Sequence, residues 1–176
     1  MRLVTHIVRR LRIAEEQGTA IIELALVLPL LLLLMIGMVD FGKAYNEWID
    51  STHLANEGAR LAAVNYNAPT CTGSNQTTCL AQYIQQNGDL KEITNGRSSD
   101  SYAPAQNAAQ VCISFPPVSG HSTPLVGDPV QITVTTNYRW LNYLSSKLRF
   151  GTTPIIGKAT MRLEGVPTSF AAGCYP

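Results

Sequence analysis

Hydrophobic positions follow two regimes along this chain. From Ala20 to Val39 they run almost unbroken, with Glu23 as the one charge among them; beyond that they recur first at helical and then at strand spacing. About 20 apolar residues at roughly 1.5 Å rise span the ~30 Å of a hydrocarbon core, so Leu24–Val39 predicts a transmembrane helix. From Phe41 onward, Phe41, Tyr45, Trp48, Thr52, Ala55, Ala59 and Ala62 alternate spacings of four and three, a narrow stripe that carries the helix past the membrane. Ala55, Ala59 and Ala62 are small enough for a neighbouring element to approach closely, with core packing the favoured use. Lys43 with Glu47, and Glu57 with Arg60, are spaced to pair along a solvated face. Tyr45 and Trp48 lie just outside the apolar run, where amphipathic rings favour the headgroup region.

Between Asn65 and Gln110 the chain turns polar, rich in Asn, Gln, Ser, Thr and Gly, and reads as loops. One helix is expected there, from Cys79 to Asn87: Leu80, Tyr83 and Ile84 share a face, Thr77 or Thr78 can cap its start, and Gly88 suits its end. The last third predicts strands at Val111–Phe115, Val130–Tyr138 and Ile155–Glu164. The second has the cleanest period of two, with Val130, Ile132, Val134, Thr136 and Tyr138 opposite Gln131, Thr133, Thr135 and Asn137. A short amphipathic helix is expected over Leu141–Leu148. The fold class is α+β: a long N-terminal transmembrane helix extending into a small extracytoplasmic domain with an antiparallel sheet.

Charge sets the topology. The net charge is +1, and no acidic tail or basic stripe points to nucleic acid. Arg2, Arg9, Arg10 and Arg12 cluster ahead of the apolar run, which by the positive-inside rule keeps that end in the cytoplasm and translocates the rest. A secretory signal peptide fits poorly, because the apolar run is too long and Met38-Val39-Asp40-Phe41 offers no small-x-small site. Gly18-Thr19 lies before the run, so a cut there would fall on the cytoplasmic side. The expected divisions are a basic leader 1–18, a membrane helix 19–39, a helical extension 40–64 and an extracytoplasmic domain 65–176 with a polar loop insertion.

Cys71, Cys79, Cys112 and Cys174 all fall in the translocated part, where an oxidising compartment makes disulfides the default. Cys71 with Cys79 and Cys112 with Cys174 is the favoured pairing among three connectivities, which sequence does not decide. The rival reading, a metal site, lacks the close ligand spacing of structural zinc. Glu23 is costly in lipid, about 3 kcal/mol on insertion scales, although snorkelling toward the near boundary lowers that figure. Pro29 removes a helix hydrogen bond and marks a kink or packing site, or ordinary tolerance of proline in lipid.

Gly18 followed by Thr19-Ala20-Ile21-Ile22-Glu23 and the apolar stretch resembles the processing site of type IV prepilins and pseudopilins. The resemblance implies that a membrane aspartic protease, the prepilin peptidase, cuts after Gly18 and leaves Glu23 as the fifth mature residue. Glu23 would then neutralise the new Thr19 amine of its own or a neighbouring chain. The stretch Gly18–Leu31 with its Ala25-Leu26-Val27-Leu28-Pro29 run, the Asp40-Phe41-Gly42 exit and the Glu57–Ala63 segment resemble the TadE-like family, minor pilins of the tight-adherence (Tad, or Flp) pilus system. Gly127-Asp128-Pro129 and Ala159–Glu164 resemble the same family near the far end, with Thr160 where an aliphatic residue is more usual. Leu24 stands where the major pilins place an aromatic, which argues for a minor component. The polar middle is unmatched.

The implied function is non-catalytic: a membrane-anchored minor pilin or pseudopilin in pilus assembly and surface adhesion. It implies as partners the prepilin peptidase, other Tad pilins and pseudopilins, the inner-membrane assembly platform and the lipid bilayer, with no cofactor and no metal. The location implied is the inner membrane, single-pass, with the domain outside, or the pilus. The alternative is an uncleaved signal-anchored adhesin or ligand-binding module whose polar middle recognises a surface ligand. Hydrolytic chemistry is disfavoured, because His6 lies in the leader, His53 on the charged helix, and His121 among the turn residues Ser119, Ser122 and Thr123.

Overall fold

A computed structural model describes residues 2–66, 76–89, 93, 109–118, 120, 123–141, 151–168 and 170–175, with side chains described from Ala20 onward in the first helix and from Cys79 in the second. The elements are α1 (Arg2–Ala63), α2 (Gln76–Gln86), β1 (Gln110–Ser114), β2 (Pro129–Arg139), β3 (Thr152–Arg162) and β4 (Gly173–Tyr175). The chain divides into two compact units, Met1–Phe41 and Gly42–Pro176.

The first unit is the N-terminal part of α1. From Ala20 to Val39 its side chains are exposed apart from half-buried Ile36, Leu26 and Met38 among them at 75% and 73%. Leucine and methionine keep rotamer freedom in a helix, so the backbone stays helical through a segment with no core to pack on.

The second unit is α+β. Four strands form an antiparallel sheet in the order β3-β2-β1-β4. Along β2 the expected alternation holds: Val130, Ile132, Val134, Thr136 and Tyr138 are buried and their neighbours are not. On β3 the inward face is Gly157, Ala159 and half-buried Met161, continued by Leu163 just past the strand. Val130, Ile132, Val134, Ala159 and Leu163, with Met161 packed against them, form one core with Leu54, Ala55, Ala59 and Ala62 of α1, Leu80, Ala81 and Ile84 of α2, Val111 and Ile113 of β1, and Phe170. The predicted helix over Cys79–Asn87 is α2, which starts three residues earlier. The helix expected over Leu141–Leu148 lies outside the described residues after Leu141.

The helical stripe is corrected. Ala55, Ala59 and Ala62 are buried as expected, but Phe41, Tyr45 and Trp48 are 65%, 53% and 46% exposed. The buried face runs instead through Ala44, Glu47, Ser51, Leu54, Ala55, Gly58, Ala59 and Ala62. Helix and sheet approach too closely for aromatic rings, so small residues take the contact. At Gly157 an added Cβ would fall onto the carbonyl of Ser51 and lie 2.7 Å from the amide nitrogen of Thr52. At Gly58 it would meet Ile84 Cδ1 at 2.5 Å and Ile132 Cγ2 at 3.3 Å. Ser51 Oγ is buried with no hydrogen-bond partner, a cost that the smaller alanine would not carry. Glu47 is buried too, so Lys43 and Glu47 do not lie together on a solvated face as their spacing suggested.

Helix α1 ends in a Schellman turn. Tyr66 N–H donates to Leu61 O and Asn65 N–H to Ala62 O, at 3.0 and 3.1 Å, with Asn65 in the left-handed region at φ 53°. Asn65 then clamps the C-terminal segment: its Nδ2 donates to Thr168 Oγ1 at 2.8 Å, and its Oδ1 accepts from Thr168 N at 3.2 Å. Glu164 N–H donates to Ala63 O at 2.8 Å, tying the exit of β3 to the same helix end.

Cys112 and Cys174 form a disulfide between directly opposed positions of β1 and β4. β4 is only three residues long, so the cross-link supplies much of what holds this edge. Closing a loop across a sequence separation of 62 predicts that the double replacement Cys112→Ser/Cys174→Ser lowers unfolding free energy by about 2–4 kcal/mol. Urea titration of the full chain in detergent measures it. Cys79 is buried and disulfide-bonded. Its expected partner, Cys71, lies outside the described residues.

Candidate functional site

The residues expected to carry assembly stand on α1 within the first unit. Gly18 and Thr19 lie in helical backbone, their side chains outside the description. Glu23 is exposed, four positions past Thr19 and so about one helical turn along. Pro29 is exposed and inside the helix; its missing N–H leaves the carbonyl of Ala25 without its usual donor. Among the described residues one helix is long and apolar enough to cross a membrane, and the window that qualifies it is 0% buried. An apolar surface this large, without cover, asks for lipid or for other apolar helices.

The burial of several polar positions along α1 was not foreseen from the sequence. Asp40, Glu47 and Asp50 are 2%, 5% and 8% exposed, each with an interaction partner. Small residues were the available signal: Ala44, Ser51, Ala55 and Gly58 mark the buried face by size, and hydrophobicity misleads there because the bulkiest apolar side chains point the other way.

Little among the described residues of the second unit suggests chemistry on a small molecule. A shallow depression between α1 and α2, lined by Leu54, Glu57, Gly58, Leu61, Ile84 and Asn87, has no room for even a water-sized group, far below the ~300 Å³ at which ligand pockets usually begin. No group of three His, Cys, Asp or Glu able to hold a metal occurs among the described residues. His53 is exposed on α1; His121 lies outside the described residues, as does the side chain of His6. The polar segment proposed for ligand recognition is described only in part, at α2 and its flanks.

A helix able to cross a membrane, followed by a small disulfide-linked α+β unit, is the plan of a membrane-anchored protein with a folded head. Residues 18–60 match the family model of the TadE-like proteins. The match begins at the glycine of the expected processing site and takes in Glu23, Pro29 and the small-residue face of α1 as far as Arg60. The likeness read in the strands of the last third is not part of it. The TadE-like family is a family of pilus components, and the match supports a Tad pilus-associated protein anchored in a membrane. No curated protein and no solved structure matches the chain.

Proposed function

We propose that the protein is a minor pilin or pseudopilin of a Tad-type pilus system, a non-catalytic component that takes part in pilus assembly and surface adhesion. Prepilin peptidase removes residues 1–18. Glu23 then pairs with the Thr19 amine during incorporation, which sets the axial stagger between neighbouring chains. Partners are other Tad pilins and pseudopilins, the inner-membrane assembly platform and the bilayer itself. The N-terminus faces the cytoplasm and the α+β unit lies outside, where oxidising conditions sustain the Cys112–Cys174 bond.

The observation that carries this reading is the family match starting at Gly18 and including an exposed acidic residue within an otherwise apolar, uncovered helix. An isolated carboxylate there costs about 3 kcal/mol in lipid, and a cationic partner offsets the cost. Mass spectrometry of the mature chain from cells with a functioning peptidase tests the first step. The expected N-terminal residue is Thr19; an intact Met1 would defeat the processing model and favour an uncleaved anchored adhesin.

A further inference from the structure

The Cys112–Cys174 bond lies on the outer face of the sheet. On β1 the neighbours of Cys112, Val111 and Ile113, are buried, so strand alternation turns Cys112 away from the core, where it is half-buried. On β4 Cys174 is exposed, while Tyr175 packs against the core from the opposite face. The Cys174 end of the bond thus meets solvent in the folded state.

The segment that carries Cys174 is otherwise lightly fastened. Phe170 is buried and stacks on Phe115 at 6.1 Å between ring centroids, which anchors the chain at that point. Past it, Ala171, Ala172, Gly173 and Cys174 are all exposed, and among the described residues half-buried Tyr175 is the one that still packs against the core. The ladder between β4 and β1 has three positions, against five between β1 and β2 and eleven between β2 and β3. Three backbone pairs and one half-buried ring must offset the entropy of ordering the whole segment, and the covalent bond removes most of that cost by holding the two strands together.

We propose that Cys112–Cys174 is a site of thiol–disulfide exchange, and that its reduction by a dithiol unlatches Ala171–Tyr175 from β1 while the rest of the second unit stays folded. Cys174, the more exposed end, takes the attack. A thiolate of the dithiol bonds to Cys174 Sγ as the Cys112–Cys174 bond breaks, and the electron pair leaves on Cys112 Sγ, which takes a proton from water. The second thiol of the reductant, as its thiolate, then attacks the mixed disulfide and displaces Cys174, which is protonated in turn. The protein gains two electrons and two protons, and the dithiol becomes a disulfide. Ala171, Ala172 and Gly173 are small and exposed beside Cys174, so a protein with a Cys-x-x-Cys site has room to approach as well as a small molecule. Unlatching frees the edge of β1 that the closed form pairs with β4, a row of backbone donors and acceptors open to another strand.

The test treats the full chain in detergent with dithiothreitol or with reduced thioredoxin, traps thiols by alkylation, and locates them by peptide mass spectrometry. Cys112 and Cys174 are expected to become alkylated together, at a rate that changes less than about twofold between zero and ~1 M urea, because no global opening is needed. Faster reaction with thioredoxin assigns the exchange to protein dithiols, faster reaction with dithiothreitol assigns it to small ones, and either supports the site. Reduction by neither overturns it, as does a rate that climbs about tenfold or more over the same urea range, the mark of a bond reached only by unfolding. Hydrogen exchange reads the latch. On reduction the amides of Gly173–Tyr175 should exchange at least about tenfold faster while those of Val130–Thr136 keep their protection. The Cys112→Ser/Cys174→Ser protein should show the same pattern without reductant, which separates this bond from that of Cys79. Unchanged exchange at Gly173–Tyr175 overturns the latch, and so does loss of protection in β2, which would make the bond a support of the whole unit.

Discussion

Replacing Gly157 with valine should abolish the folded state of the second unit or lower its stability by about 3 kcal/mol or more. The reason is backbone against backbone. A Cβ at this position meets the carbonyl of Ser51 and the amide of Thr52, neither of which can rotate away as the tip of a side chain can. Relief would require α1 to move off the sheet, opening the core between Leu54 and Ala55 on the helix and Val134 on β2, the register partner of Gly157. Even alanine is expected to be harmful. Gly151→Ala is the control, because a Cβ there meets nothing within 4 Å, and its effect should stay within about 0.5 kcal/mol. Urea titration of the full-length variants in detergent separates the two; a Gly157→Val protein as stable as the parent would refute the close approach of α1 to β3.

Replacing Glu23 with glutamine should block pilus assembly while leaving removal of the leader and the stability of the folded unit intact. Glutamine keeps the size and can donate and accept hydrogen bonds, but it loses the charge that compensates the Thr19 amine. A pairing worth even ~1.4 kcal/mol per subunit alters incorporation about tenfold, and in lipid an unpaired charge costs more than that. Glu23 is exposed and lies in the first unit, so the variant does not disturb the core. Sheared-pilus yield by immunoblot, mass spectrometry of the N-terminus and urea titration read the three effects apart. Normal piliation would rule out the pairing role; failure of cleavage would move the requirement for Glu23 to the peptidase step.

The two experiments probe regions that differ in how plainly the sequence speaks. Gly18, Glu23 and the apolar run are adjacent in the chain, so their arrangement needs no folding to become visible, and residues 18–60 carry the family match. The strand pattern of β2 is equally local, because a period of two follows from one buried face. β4 was not foreseen: three residues carry no periodicity, and only pairing with β1 and the bond to Cys112 make them a strand. Asn65 likewise reads as one more polar residue until the Schellman turn and the clamp on Thr168 place it.

The sequence alone determined what depends on neighbours along the chain: a helix able to cross a membrane with one acid near its start, the α+β class, and the alternation of the main strands. Tertiary structure decided which face of α1 turns inward. Hydrophobicity favoured Tyr45 and Trp48, but helix and sheet come closest where Gly157 lies against the Ser51 backbone, and there only small side chains fit between them. Size outweighed hydrophobicity because steric overlap rises far more steeply with distance than burial free energy accumulates with area, so the aromatic residues face outward.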